Sequence, residues 1–271
     1  MTYALYIAYT ALPERPMPRT PRTPRPAAGV ELASLADLLW RTQSDSPGEP
    51  RLRLSAPLIV RTAVTLADTE GLDAVSMQRV AAELGCTAMA LYRHVPGKDQ
   101  LVAAMNDAAI GHPPASGAVG WRTEVEAWVE ALWGLYLSHP WMLHTPTRSA
   151  PVGPHELAWF EALLTLFQQA GVERGQLIPL ATFVSSAVRD LARVATELDP
   201  DGAAAYGQVL AERLDPARFP TLCALAGEEG LDEAEDGDVT PIVRHGLRYL
   251  LDGIDARVAE HTTNPAHTTN P

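Results

Sequence analysis

Residues 77 to 98 read MQRVAAELGCTAMALYRHVPGK, two short helical periodicities separated by a glycine and closed by Pro-Gly. Each key position has a steric reason. Ser76, just ahead of the stretch, is placed to cap a helix that stops at Gly85; Thr87 opens a second that must end near Val95, because Pro96 and Gly97 follow. Ala81 falls where two crossing helices come closest, so a larger side chain would push them apart. Gly85 falls at the turn, where a positive φ penalises any Cβ. Val80, Leu84, Leu91 and Val95 flank that turn and supply a shared core. At about 100° per residue, Met89 and Arg93 then point away from Leu91, with Ala90 and Tyr92 on the flanks. Two helices that bury one side and present another in this way form a helix-turn-helix. The outward side of the second helix fits the major groove of duplex DNA.

The same punctuation extends outward from this stretch. Ser55 is an N-cap, Pro57 sits in a first turn, and Ile59, Ala63 and Leu66 give one apolar face before Gly71 ends the run. A further helix starts around Lys98 and runs through Leu101, Val102 and Met105. After His112-Pro113-Pro114, helical periodicity covers residues 121 to 138, 154 to 171, 176 to 198, 203 to 213 and 240 to 259, and no convincing strand pattern occurs. The expected fold class is all-α, with a three-helix helix-turn-helix domain over residues 55–107 and a larger helical ligand-binding and dimerisation domain over 118–260. Residues 1–54 read as a flexible basic arm: 13 to 29 contain six prolines, and 19 to 26 spell Arg-Thr-Pro-Arg-Thr-Pro-Arg-Pro. Within that arm Leu32, Leu35 and Leu39, with Trp40 beside them, predict a short amphipathic helix between Val30 and Arg41. Residues 261–271 repeat His-Thr-Thr-Asn-Pro and read as a disordered tail.

A chain of 271 residues that is 46% hydrophobic can bury a sizeable core. Its net charge of −12 looks wrong for a DNA binder until it is divided. Residues 1 to 98 carry 11 Lys/Arg against 9 Asp/Glu, and residues 99 to 271 carry 10 against 24. An acidic body behind a locally basic face turns that face toward a duplex. Cys86 and Cys223 are too few for a disulfide framework or a four-ligand zinc site, so free thiols in a reducing cytoplasm are expected. Met1 to Leu12 lack a basic leader, and no stretch runs to the roughly eighteen uncharged apolar residues of a membrane span, so neither export nor membrane insertion is expected.

From Ser55 to Met105 the chain resembles the tetracycline-repressor (TetR) family of regulators. The likeness lies in Ala67-Asp68-Thr69-Glu70-Gly71-Leu72, Val80-Ala81-Ala82-Glu83-Leu84-Gly85 and Leu91-Tyr92-Arg93-His94-Val95-Pro96-Gly97-Lys98. It implies that Tyr92, His94 and Lys98 contact phosphates, and that Gln78, Thr87, Ala88 and Met89 face bases or nearby backbone. Physical chemistry agrees at Lys98, the only lysine in the chain. It stands at a helix N-terminus, where free amides favour an anion while the helix dipole opposes the lysine's own charge; a bound phosphate relieves that conflict. Ala88, Met89 and Ala90 offer thymine methyls only apolar contact, which leaves Arg93 and Gln78 as the direct readers and DNA shape to supply the remainder. Arg51, Arg53 and the arm's Arg19, Arg22 and Arg25 are further groups for backbone or minor groove.

Five of the six tryptophans lie between Trp121 and Trp159. Aromatics this dense build either a core or a ligand cavity. The candidate ligand-binding residues are Trp128, Tyr136, His139, Trp141, His144, Phe160, Phe183 and Arg189, with Thr182 and Ser185 as further polar groups. This region is similar to the family's C-terminal domain in Gly120-Trp121-Arg122, His139-Pro140-Trp141 and the run from Gly246 to Ile254. The likeness implies a homodimer joined by a four-helix bundle and a pocket walled by the middle helices. Two helices have broad apolar faces that serve either burial within one subunit or pairing between two, with Val184, Val188 and Leu191 on one and Leu247, Leu250 and Ile254 on the other.

The function expected is a ligand-responsive repressor that binds a near-palindromic double-stranded operator as a homodimer, with a small-molecule effector, no cofactor, no metal and no catalysis. The alternative is a helical ligand-binding protein or enzyme that does not act through DNA. Against it, the sequence lacks Gly-x-Ser-x-Gly, a phosphate-binding glycine loop and His-Glu-x-x-His. His139 and His144 are a poor metal pair across a proline. Cys86, in the turn itself, reads as a small buried hydrophobe before it reads as a redox switch.

Overall fold

The computed structural model describes residues 28–42, 54–115, 117, 120–145, 151–197, 209, 212–227 and 240–263, and every regular element among them is helical. The chain divides into two compact units, Met1–Ala187 and Val188–Pro271.

The first unit opens with α1 (Ala28–Thr42), which packs on α2 (Ala56–Glu70) and α5 (Lys98–Ile110). Its buried residues are Leu38 and Leu39, whereas Leu32 and Trp40 are exposed. The predicted face is kept at Leu39, with Leu35 half-buried, but it takes in Leu38 and leaves Leu32 outside. The exposed Trp40 donates its indole N–H to the carbonyl of Val152 at 3.2 Å.

Helix α2 is capped as its sequence requires. The Ser55 Oγ accepts from the Leu58 N–H, Pro57 sits in the first turn, and Gly71 (φ 85°) closes the run with its N–H on the Ala67 carbonyl. A short 3-10 turn, Leu72–Ala74, leads to α3 (Met77–Glu83), where the Ser76 Oγ caps the Arg79 N–H at 3.1 Å. Helix α3 ends in a Schellman motif: Cys86 N–H bonds the Ala81 carbonyl at 2.9 Å and Gly85 N–H bonds the Ala82 carbonyl at 3.1 Å, with Gly85 at φ 63°. Helix α4 (Ala88–Tyr92) is shorter than the expected reach to Val95, because the His94 and Val95 amides both turn back onto the Leu91 carbonyl. Val80, Ala81, Leu91 and Val95 are buried; Leu84 is half-buried.

Helix α5 is the spine of this unit, packing on α1, α2, α6 (Trp121–Ser138) and α7 (Pro154–Gln169). Between α6 and α7 the chain forms a 3-10 turn, Pro140–His144, that lies against α2. The start of α7 is held by Asp107 of α5, whose Oδ1 accepts the His155 and Glu156 amides at 3.0 Å each. Trp159 of α7 returns its indole N–H to the Ile110 and Gly111 carbonyls at the same, C-terminal end of α5, and Trp128 of α6 donates to the Trp159 carbonyl at 3.0 Å.

Helix α8 (Arg174–Glu197) crosses from the first unit into the second, which also holds α9 (Pro220–Gly227) and α10 (Thr240–Thr263). The helix expected over 203–213 lies mostly outside the described residues. Helix α9 was not anticipated: Pro-Thr-Leu-Cys-Ala-Leu-Ala-Gly is too uniformly apolar to carry a helical period. No helix among the described residues is long and apolar enough to cross a membrane.

Candidate nucleic-acid interface

The second helix of the helix-turn-helix separates its two sides sharply. Leu91 is fully buried, while Met89 is 69% and Tyr92 44% exposed, with Thr87 and Arg93 also exposed and Ala88 half-buried. On α3, Gln78 is exposed between the buried Met77 and Val80. His94 is half-buried and Lys98 exposed. None of the eight predicted DNA-facing residues is turned into the interior.

Lys98 is the first residue of α5, and the Gly97 ahead of it has no side chain with which to cap the helix. The opening amides of α5 therefore stand beside a lysine ammonium, two donors of the same sense that a phosphate oxygen satisfies together.

Sequence reasoning missed one basic residue on this side of the molecule. Arg79, next to Gln78, is exposed but engaged: Nη2 bonds Glu70 Oε1 at 2.7 Å and Nη1 bonds Glu83 Oε2 at 3.0 Å. The Glu83 pairing at i,i+4 was legible in sequence; the Glu70 pairing depends on how α2 and α3 meet.

The predicted ligand-binding residues scatter. Trp128, Tyr136, Trp141 and Phe160 are buried, His139 and Arg189 are half-buried, and His144 is exposed. Phe183 is 60% exposed, so it does not line the interior: the buried stripe of α8 runs through Ala181, Val184, Ser185, Val188 and Ala192 and leaves Phe183 on the other side. The indole of Trp128 and the ring nitrogens of His139 and Trp141 already have partners inside the fold. The Thr182 hydroxyl, by contrast, is buried with no hydrogen-bond partner among the described residues. Of the residues predicted to pair two subunits, Val184, Val188 and Ile254 are buried within the single chain, which removes the first two from an outward face of α8. Leu191, Leu247 and Leu250 are half-buried. Among the described residues no three His, Cys, Asp or Glu side chains are grouped to hold a metal ion.

Residues 59–105 match the profile described as bacterial regulatory proteins, tetR family, and residues 113–258 match the tetracyclin repressor-like C-terminal domain. The HTH-type transcriptional repressor DrrR1 of Streptomyces coeruleorubidus is 32% identical over 244 residues, covering 85% of this chain and 88% of its own. Apo ActR of Streptomyces coelicolor superposes with a TM-score of 0.67 at 26% identity, over 76% of this chain and 97% of its own. ActR in complex with actinorhodin gives 0.65 at 26% identity, over 76% and 99%.

Proposed function

The chain belongs to the tetracycline-repressor family of bacterial regulators, and on that premise we propose how it reads DNA, how it pairs and what it answers to. It is a ligand-responsive, DNA-binding transcriptional repressor. Residues 55–107 form the reading head and residues 118–260 the effector-binding and pairing part. Tyr92, His94 and Lys98 hold phosphates, Arg93 and Gln78 read base edges, and Thr87, Ala88 and Met89 meet backbone and thymine methyls. The observation that carries this reading is the exposure of Met89, Tyr92, Arg93 and Lys98 beside a fully buried Leu91.

One recognition helix spans only a few base pairs, so two copies bind half-sites about 34 Å apart on a near-palindromic operator. Leu191 of α8 with Leu247 and Leu250 of α10 supply the pairing surface. The effector sits among α6, α7 and the first half of α8, where Tyr136 and Phe160 offer apolar walls and Thr182 an unspent hydroxyl. A flat, mainly apolar molecule with a carbonyl or hydroxyl fits that chemistry. Actinorhodin, bound by ActR in a solved complex, is a suitable first probe. The protein works in the cytoplasm and performs no catalytic step.

The test of the reading face is a binding titration on duplex DNA. Lys98→Ala and Tyr92→Ala should each weaken binding about tenfold or more, and Lys98→Ala should lower the slope of log K against log salt by about one. Wild-type affinity in both variants would remove the assigned face.

A further inference from the structure

Asp68 lies in the last turn of α2 and is not among the residues assigned to DNA. Its Oδ1 accepts two hydrogen bonds, from the indole N–H of Trp141 at 2.6 Å and from the Nδ1 of His139 at 2.7 Å. Both donors belong to the segment that follows α6 and forms the 3-10 turn. Trp141 is 4% exposed, so its N–H cannot turn to bulk water, and losing its acceptor leaves a buried donor unpaired. The buried face of α2, Ile59, Val60, Ala63, Leu66 and Ala67, is apolar and makes no directional bond. The two bonds converging on the Asp68 carboxylate are directional and charge-assisted.

Glu70 lies two residues beyond Asp68 and holds Arg79 at 2.7 Å, and Arg79 is the neighbour of Gln78 on α3. One turn of α2 thus joins the segment after α6 to the helix that carries Gln78. We propose that Asp68 is a positioning residue for DNA reading: through Trp141 and His139 it fixes the pose of the helix-turn-helix, and the packing of α2 on α3, with the exposed Glu70–Arg79 pair beside it, passes that pose to α3. The proposal rests on the DNA-reading face assigned above and adds a residue that touches no DNA. A head held in one pose enters its half-site without a further ordering cost; a loosened head has to meet that cost on binding.

The test uses the full chain and a duplex that the wild-type protein selects from a random pool. Affinity is measured by fluorescence anisotropy over a range of salt for Asp68→Ala, Trp141→Phe, the double variant and Lys98→Ala. Each of the first two should weaken binding about fivefold to tenfold. The double variant should be no weaker than the weaker single, because the two substitutions delete one shared bond. In all three the salt slope should stay at the wild-type value, since no phosphate contact is lost, whereas Lys98→Ala should reduce it by about one. Thermal melts identify the folded variants, and a purely structural role would lower the melting temperature while leaving the folded protein's affinity unchanged. Asp68→Asn covers the case in which alanine unfolds the chain: it keeps an acceptor for Trp141 and should fall between wild type and Trp141→Phe. Wild-type affinity in folded Asp68→Asn and Trp141→Phe, additive losses in the double variant, or a reduced slope on Asp68→Ala would each overturn the proposal. An unchanged slope in Lys98→Ala would instead sink the reading face while leaving the Asp68 comparison intact.

Discussion

Asp107 is 2% exposed, yet it is fully used: Oδ1 takes the first free amides of α7 and Oδ2 the Nδ1 of His155 at 3.0 Å. A carboxylate at a helix N-terminus is favoured by the dipole as well as by its hydrogen bonds. Glu156, in the same turn, is left in a poorer position. Burial first, and the neighbouring Asp107 charge second, push its carboxyl up to about 7 from 4.5, against the backbone hydrogen bonds of Gly153 and Val152. Because this pKa is raised on folding, the folded chain holds a proton that the unfolded chain has released. The linked stability is complete below about pH 4.5, drains away as pH rises toward 7, and stays lost above it. Glu156→Gln should therefore melt like wild type near pH 4.5 and be more stable by about 1–2 kcal/mol at pH 8. Equal gaps at the two pH values in calorimetric scans would show that this side chain does not titrate in that window.

At the scale of elements, the meeting of α5 with α7 sets how closely two helices approach. A Cβ built on Gly153 would overlap the Asp107 carboxylate, so Gly153→Ala must displace the cap or the helix. Its expected cost is about 2–3 kcal/mol, read from chemical denaturation, with the loss of the Asp107 hydrogen bonds as the main part. A cost under half a kilocalorie would mean that α7 shifts freely. The contrast with α2 and α3 explains what could be read from the chain alone. Ser55 and Ser76 cap helices that begin one residue later, and α3 stops at Gly85 through the Gly85 amide on Ala82 and the Cys86 amide on Ala81, so local sequence contains every participant. The cap of α7 comes from 48 residues upstream, and only tertiary packing brings it there. The helix-turn-helix was legible for the same reason, whereas the inward face of α8 was not. Helix α8 has apolar residues on more than one face, and spacing alone did not decide whether Phe183 or Val184 turns inward.

For the molecule as a whole, the uneven charge and the proposed pairing act together. The acidic excess after residue 98 repels phosphate, so approach to DNA favours the N-terminal side, where the arginines of residues 1–54 add to Arg93 and Lys98. If Leu247 and Leu250 pair two copies, sedimentation should give twice the chain mass. The double substitution Leu247→Glu, Leu250→Glu should then give monomers that lose operator affinity by about a hundredfold or more while keeping weak, salt-sensitive DNA binding. A variant that stays dimeric would move the pairing surface elsewhere. A last consequence belongs to Lys98, which stands alone among side-chain amines and on the proposed phosphate-holding turn. Reductive methylation keeps the ammonium charge and marks one side chain, distinct from the α-amine, so a methyl resonance there would let occupancy of the operator be watched from the proposed reading head in real time.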